Sequence, residues 1–362
     1  MIVFPILVTV YFTSLMDQGI PEEMPVGVVD MDNTTTTRKL IRLLDAFQTT
    51  RISDHYSDVG IARKAMQHGD IYGFIYFPKG TTEQLLASRQ PKISFYYSYT
   101  SLTAGALIFR DLKTISTLGS AAVGSATMRA KGYTNKQITT FLQPIVIDLH
   151  PLNNPWTNYN VYLSTMLIPG CILLFVFLVT AYNLGSELKE GTARQWLKEA
   201  NDNIWIALTG KMIPLTFVYL VVFYGYLFYV FYGLGFPHPG GVMPILLLGL
   251  LTILASQGFG IFLFGLFPSL RMAMSMCSLW SVLSFSMVGT AFPTLAMDPA
   301  LKALANLFPL RHYFMFYQIG VLGGYPLSDV WTSICALVLF AALPLFVIFR
   351  IQKAAKHYIY LP

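Results

Sequence analysis

Charge is what this chain of 362 residues has little of: only 12% of them are Asp, Glu, Lys or Arg, about half the share usual in a soluble domain. The deficit is concentrated. Val161 to Leu184, Met212 to Phe236, Val242 to Leu270, Met272 to Met297 and Val330 to Phe349 contain none of the four charged residue types. A bilayer core about 30 Å thick takes roughly 20 apolar residues in a helix, and a helix satisfies its own backbone at that depth. These five segments therefore predict five membrane spans. Cysteine is also scarce. Cys171, Cys277 and Cys335 all fall in the predicted spans, so the long polar stretch between residues 18 and 158 must build its core without disulfides. The six histidines are scattered without ligand spacing, so no metal site is expected.

A sixth span is expected at the N-terminus. Met1 to Met16 is apolar, but short for a span, and Asp17 ends it. It lacks the basic lead and small-residue cleavage site of a signal peptide, so it reads as the end of a span whose lead-in precedes residue 1. Orientation follows from the basic residues of the short loops. Lys189, Arg194, Lys198 and Lys211 follow the second span, Arg271 sits between the fourth and fifth, and Arg350, Lys353 and Lys356 follow the last. The loop Gly233 to Gly241 has no Lys or Arg, and Phe292 to Ser328 has only Lys302 and Arg311. The positive-inside rule puts the first set in the cytoplasm, the C-terminus inside and the long polar insert outside. The net charge of +6 then reflects topology, and with no basic stripe on a soluble face nucleic acid is not an expected partner.

The insert reads as mixed α/β. Pro25 to Asp30 is a short apolar run of strand type, and Asp32 or Asn33 is expected to cap a helix through Phe47, with Leu40, Ile41, Leu44 and Phe47 on one face. Asp58 to His68 predicts a helix stopped by Gly69. Ile71 to Phe77 predicts a strand ended by Pro78. Thr82 to Ser88 predicts a helix, Lys92 to Tyr99 a strand, Leu102 to Lys131 a long helix, Tyr133 to Leu142 another, and Ile145 to Leu149 a last strand. Asp30, Asp32 and Asn33 resemble the start of a calcium loop, but that loop's Gly and terminal Glu are missing, so a helix cap is the better reading. Phe95, Tyr96, Tyr97 and Tyr99 suit a strand, or the lining of a groove.

Gly185 to Met212 is the most informative stretch. Its Glu187, Glu190, Arg194 and Lys198 alternate with Trp196 and Leu197 in a way that predicts a short amphipathic helix between two spans. Such a helix can lie on the membrane or dock in a partner. Glu187, Gly191, Thr192, Trp196, Leu197, Gly210 and Lys211 resemble the Glu-x-x-x-Gly-Thr, coupling helix and Gly-Lys of the permease subunits of type-2 ABC exporters. Where many members have Ser-Pro or Thr-Pro after that helix, this chain has Ala200-Asn201. Gly289, Phe292, Pro293, Met297 and Pro299, then Pro309-Leu-Arg-His-Tyr313, resemble the same family's half-buried external hairpin. Val26 to Asn33, followed by Arg38-Lys-Leu40, resembles the opening of its external domain.

The resemblance implies an α-helical polytopic membrane protein of six transmembrane helices with an inserted mixed α/β extracytoplasmic domain. Residues 1–17 would be the first helix and 18–158 the external domain. Residues 159–362 would be a five-helix domain with a coupling helix at about 186–210 and a hairpin at about 292–326. It implies a permease of an ATP-driven exporter, in the bacterial inner membrane, for a hydrophobic or amphipathic substrate. Related exporters handle drugs, lipids or polysaccharide, and those for polysaccharide usually lack such an external domain. The chain has no phosphate-binding Gly-x-x-x-x-Gly-Lys-Ser/Thr loop, no Gly-x-Ser-x-Gly and no His-Glu-x-x-His. No catalysis is therefore expected in it; ATP and magnesium would belong to a separate ATPase subunit. Glu187, Glu190, Gly191, Thr192, Arg194, Trp196, Leu197, Lys198 and Lys211 would carry the coupling, with Trp196 as buried anchor. A second permease copy or paralogue and membrane lipid complete the expected assembly, and the external domain suggests, by resemblance, a periplasmic adaptor and an outer-membrane channel as further partners. Ser275, Ser278, Ser281 and Ser284, at intervals of three among four methionines, suit a weakly polar pathway lining or close helix packing equally well. A phage-receptor-like envelope protein with the same spans is the alternative function. A membrane enzyme acting on lipids would need ionisable residues at membrane depth, which the five segments lack.

Overall fold

The computed structural model describes residues 2–87, 89–144, 148–151 and 153–357. The chain forms two compact units, one of residues 20–150 and one of the residues before and after them. The helical unit opens with α1 (Val3–Leu15), 13 mostly apolar residues.

In the 20–150 unit, β1 (Met24–Asp30), α2 (Thr35–Asp45), β2 (Thr50–His55), α3 (Val59–His68), β3 (Gly73–Phe77), α4 (Thr81–Leu86), β4 (Ser94–Tyr97), α5 (Leu102–Ala130) and α6 (Asn135–Leu142) follow in order. The sheet order is β2-β1-β3-β4. β1 runs parallel to both neighbours, and β4 is antiparallel to β3. β1 is central and covered on both faces, which is why it reads as an unbroken apolar run. Val26 and Val28 pack with Leu44, Ile75, Phe77, Ile108 and Leu112, while Val29 joins Ala62, Ile71 and Phe74 on the opposite face. The helix α5 has 29 residues, about 44 Å at 1.5 Å per residue. Its buried residues end at Ile115; the rest packs on α6, where Ile138 is buried.

The sequence reading of this unit needs two corrections. The cap of α2 is Thr34, whose side chain accepts from the Thr37 N–H. Asn33 instead takes a left-handed φ of +46°, and Asp32 turns to the next loop, accepting from the N–H groups of Gly80 (2.8 Å) and Thr82 (3.0 Å). The strand β2 has no counterpart in the sequence reading. It is a polar edge strand, mostly exposed, and pairing with β1, rather than side-chain alternation, creates it. Of the expected last strand, Ile145 to Ile147 lie outside the described residues, as does Ser88 at the end of the expected fourth helix. The aromatic cluster is packed: Tyr96 stacks on Phe74 at 4.6 Å, and Tyr97 meets Tyr99 and Phe109.

The helical unit continues with α7 (Tyr159–Lys189), α8 (Ala193–Glu199), α9 (Ile204–Phe228), α10 (Val242–Leu266), α11 (Leu270–Met287), α12 (Pro299–Ala305), α13 (Pro309–Phe316), α14 (Trp331–Ala342) and α15 (Pro344–His357). Single π-helical turns extend α9 to Gly233 and α13 to Leu322. Among the described residues, four helical stretches are long and apolar enough to cross a membrane: Tyr159–Lys189, Ile204–Gly233, Val242–Leu266 and Leu327–His357. The last of these joins α14 and α15 across Leu343 and Pro344. The segment Met272 to Met297, expected as a fifth, is helical only to Met287. Gly289, at φ +106°, and Pro293 divert the chain there, and Arg271 with the serines lowers the apolar content of the 18 residues that remain.

α10 is the central helix, packed against α7, α9, α14 and α15. Its close contacts are made at glycines: a Cβ on Gly258 would sit 2.4 Å from the Phe340 carbonyl oxygen. Small residues let backbones approach where lipid offers no hydrophobic drive for association. α1 is tied to α7 by the buried Asn160 amide, which donates to the Thr13 carbonyl at 3.1 Å.

Candidate functional site

The connection between α7 and α9 is built from a charged clamp. α7 stops at Lys189, two residues before Gly191, whose φ of +74° is left-handed and suits glycine. Thr192 then begins α8, and its hydroxyl donates back to one Glu187 carboxylate oxygen. The other Glu187 oxygen accepts from Lys211 Nζ, on α9. The two side chains of that pair are only 16% and 21% exposed. Lys211 Nζ also lies 5.3 Å from the centre of the Trp196 ring, within cation–π range. One carboxylate thus joins the end of α7, the start of α8 and the first turns of α9.

The far end of α8 is held by its backbone. Asn201 and Asp202 both take left-handed φ values, +53° and +58°, which Asn and Asp tolerate best after glycine. The Asp202 N–H donates to the Leu197 carbonyl at 3.0 Å. Asn203 caps α9 by accepting from the Trp205 N–H at 2.9 Å. α15 braces the same segment: Arg194 Nε donates to the Lys356 carbonyl at 2.8 Å and Gln352 Nε2 to that of Asp202 at 3.2 Å.

Several expectations change here. Of the stretch at about 186–210 expected as a coupling helix, only Ala193–Glu199 form a separate short helix, α8; the remainder belongs to the ends of α7 and α9 and to the turns between. Trp196 is half-buried in the single chain, so part of its ring is open to a partner, and Leu197, 1% exposed, fixes α8 to its own core. Glu187 and Lys211 face each other rather than outward, and Arg194 is engaged by its own chain. Glu190, Gly191, Thr192 and Lys198 remain exposed. A pocket of about 390 Å³ opens beside α8. Glu187, Trp196 and Lys211 line it, but so do Glu199, Ile206 and Gly210. Of these, Glu199 and Ile206 carried no signal in sequence beyond their helical spacing from Trp196 and Gly210.

The serine row does not form one face. Three residues advance about 300° around an α-helix, so each serine is turned some 60° from the last, and Ser275 stands opposite Ser284. Ser281 and Ser284, both 3% exposed, lie with Ala273 and Cys277 on the buried face, and α11 packs chiefly along α7. Ser278 is half-buried and Ser275 exposed. In the hairpin, Asp298 caps α12 at the Ala300 N–H (2.9 Å), with Pro299 in the first turn. Pro309 starts α13 and is buried there with Leu310, Tyr313 and Phe314. Phe292 and Pro293 are exposed, and Met297 is half-buried. Arg311, 8% exposed, donates toward the Val288 carbonyl at the end of α11 and to Asn306 Oδ1, both at 3.4 Å.

The acidic run of the 20–150 unit is consumed internally. Asp30 accepts from the N–H groups of Asp32 and Asn33 and from the Thr37 hydroxyl. The Thr82 hydroxyl, at 2.6 Å, holds the Asp32 carboxyl below its ordinary range, aided by the Thr82 and Gly80 amides against a smaller opposing effect of burial.

Long apolar helices around a buried central one make this a multi-pass membrane protein. Residues 1–350 match the family described as ABC-2 family transporter protein, and the chain belongs to that family. It is therefore a membrane component of an ABC transporter, of a kind that generally works with an ATPase subunit. No curated protein matches the chain.

Proposed function

We propose that this chain is the permease subunit of an ATP-driven exporter that moves a hydrophobic or amphipathic substrate out of the cytoplasm or the inner membrane. The single observation that carries this reading is the clamp of Glu187, Thr192 and Lys211, which ties α8 to the ends of two membrane helices. A separate ATPase, holding ATP and magnesium, docks on α8. Its closure moves α8, α7 and the start of α9 as one body, and α7 passes the displacement to α11 along their packed faces. Two permease copies, or a copy and a paralogue, enclose the pathway, with Ser275 and Ser278 better exposed to it than Ser281 and Ser284. Six helices cross the bacterial inner membrane in this reading: α1, α7, α9, α10, α11 and the α14–α15 pair. α8 and the C-terminus are cytoplasmic. The 20–150 unit and the α12–α13 hairpin are outside, where a periplasmic adaptor and an outer-membrane channel can meet them.

The test is reconstitution in liposomes with the cognate ATPase. ATP-dependent accumulation of an amphipathic dye in inside-out vesicles is expected. Replacing Trp196 and Glu187 together should abolish stimulation of the ATPase by the permease. Unchanged stimulation in that variant would count against coupling through α8.

A further inference from the structure

The pocket beside α8 has a sharper chemistry than a general docking surface. Three charged side chains line it, and two of them, Glu187 and Lys211, neutralise each other across the clamp. Glu199 remains. It is exposed, forms no ion pair among the described residues, and accepts only from its neighbour Gln195, at 3.2 Å. The nearby Arg194 is turned away to the Lys356 carbonyl. The pocket therefore carries one net negative charge. Its apolar wall is formed by Trp196, half-buried, and Ile206, 57% exposed. At Gly210 an added Cβ would meet nothing within 4 Å, so the space above that turn of α9 is open.

An open surface pocket that sets Trp196 and Ile206 beside one unpaired carboxylate fits a long side chain with a methylene stem and a cationic head. A phosphate or carboxylate group would be repelled by Glu199, and a purely apolar residue would leave that acid unused. We propose that the pocket receives one arginine or lysine side chain from the partner ATPase, recognised by Glu199. This rests on the reading of the α7–α9 connection as the ATPase-docking surface. It moves the recognition charge from Glu187, which holds the permease together, to Glu199, which faces the partner.

Binding of the purified cognate ATPase to the full-length permease in nanodiscs tests both levels. Two variants probe the pocket: Gly210→Leu fills it from a helical position with room for the side chain, and Glu199→Lys reverses its charge. Each should weaken binding about tenfold or more, equivalent to about 1.4 kcal/mol, with the melting temperature of the permease unchanged. Glu199→Gln should reduce the salt dependence of binding. A single Arg or Lys to Glu reversal on the ATPase should restore affinity for the Glu199→Lys permease and for no other form. If the wild-type chain binds no ATPase, the docking reading fails and this inference with it. If the wild type binds and both variants bind equally well, docking stands and the pocket inference is overturned. Weakening by Gly210→Leu alone also overturns it, since the occupant would then not be cationic.

Discussion

The clamp between Glu187 and Lys211 makes a quantitative prediction about local stability. Truncating Glu187 to Ala leaves the Lys211 ammonium about four-fifths buried with no acid beside it, and removes the Thr192 hydroxyl's acceptor. Hydrogen bonds to charged groups contribute about 1.5–3 kcal/mol each, whereas fully exposed pairs contribute about 0.2–1 kcal/mol. At this degree of burial a loss of about 2 kcal/mol is expected, or about a 30-fold change in a local opening equilibrium. The opening should be read by hydrogen exchange at amides whose bonds define the segment. These are Trp196 N–H, bonded to the Thr192 carbonyl at 2.9 Å, and Asp202 N–H, bonded to that of Leu197. Exchange at both should rise about 30-fold in Glu187→Ala and in Lys211→Met. Because the two residues act as one unit, the double variant should exchange no faster than the worse single one. Fully additive losses, reaching about 1,000-fold, would refute the clamp as a coupled pair. So would unchanged exchange in either single variant.

Three further outcomes follow from the same structure. Gly191→Ala forces a Cβ onto a left-handed residue and should cost about 1–2 kcal/mol, seen as faster exchange from Thr192 to Leu197 with no change in the 20–150 unit. Leu197→Ala opens a cavity under α8 and should cost about 2–4 kcal/mol locally, lowering the temperature at which that segment becomes sensitive to protease. Asp32 has a folded-state pKa below its unfolded one, so its stabilising effect is present above the unfolded value and fades as pH falls through the folded value. The Gly80 and Thr82 amides should therefore lose protection only as pH falls below the ordinary carboxylate range in the wild type, and Asp32→Asn should flatten that dependence.

The spans were legible because a charge-free stretch of 20 residues has one physical solution in a bilayer, and four of the five became long apolar helices. The fifth, Met272 to Met297, shows where counting charges fails. Serine and glycine carry no charge, yet they decide where a helix turns away. The helices and strands of the α/β unit with strong local signals were also legible: the Asp58 cap and Gly69 stop bound α3, and the β-branched and aromatic run before Pro78 forms β3. β2 was not, since an edge strand of polar residues is made by its neighbour. At the candidate site the residue types were visible but their directions were not. A glutamate and a lysine 24 positions apart give no sign in sequence that they face each other, and Glu199 gives none that it faces a pocket.

The central helix α10 has a consequence for how this protein tolerates change. It is apolar along most of its surface and largely buried, so apart from Gln257, which accepts from the Thr216 hydroxyl of α9, little contrast of polarity along its length tells it which way to face. Its rotation is fixed by notches instead: Gly258 against α14 and Gly265, where a Cβ would approach Val347 to 2.5 Å. Hydropathy is blind to that information. Exchanging Gly258 for leucine makes the span more membrane-like by any transfer scale, yet it denies α14 its seat. The harmful substitutions in this helix are thus greasy ones, and a mutational tolerance map of α10 should track side-chain volume rather than polarity.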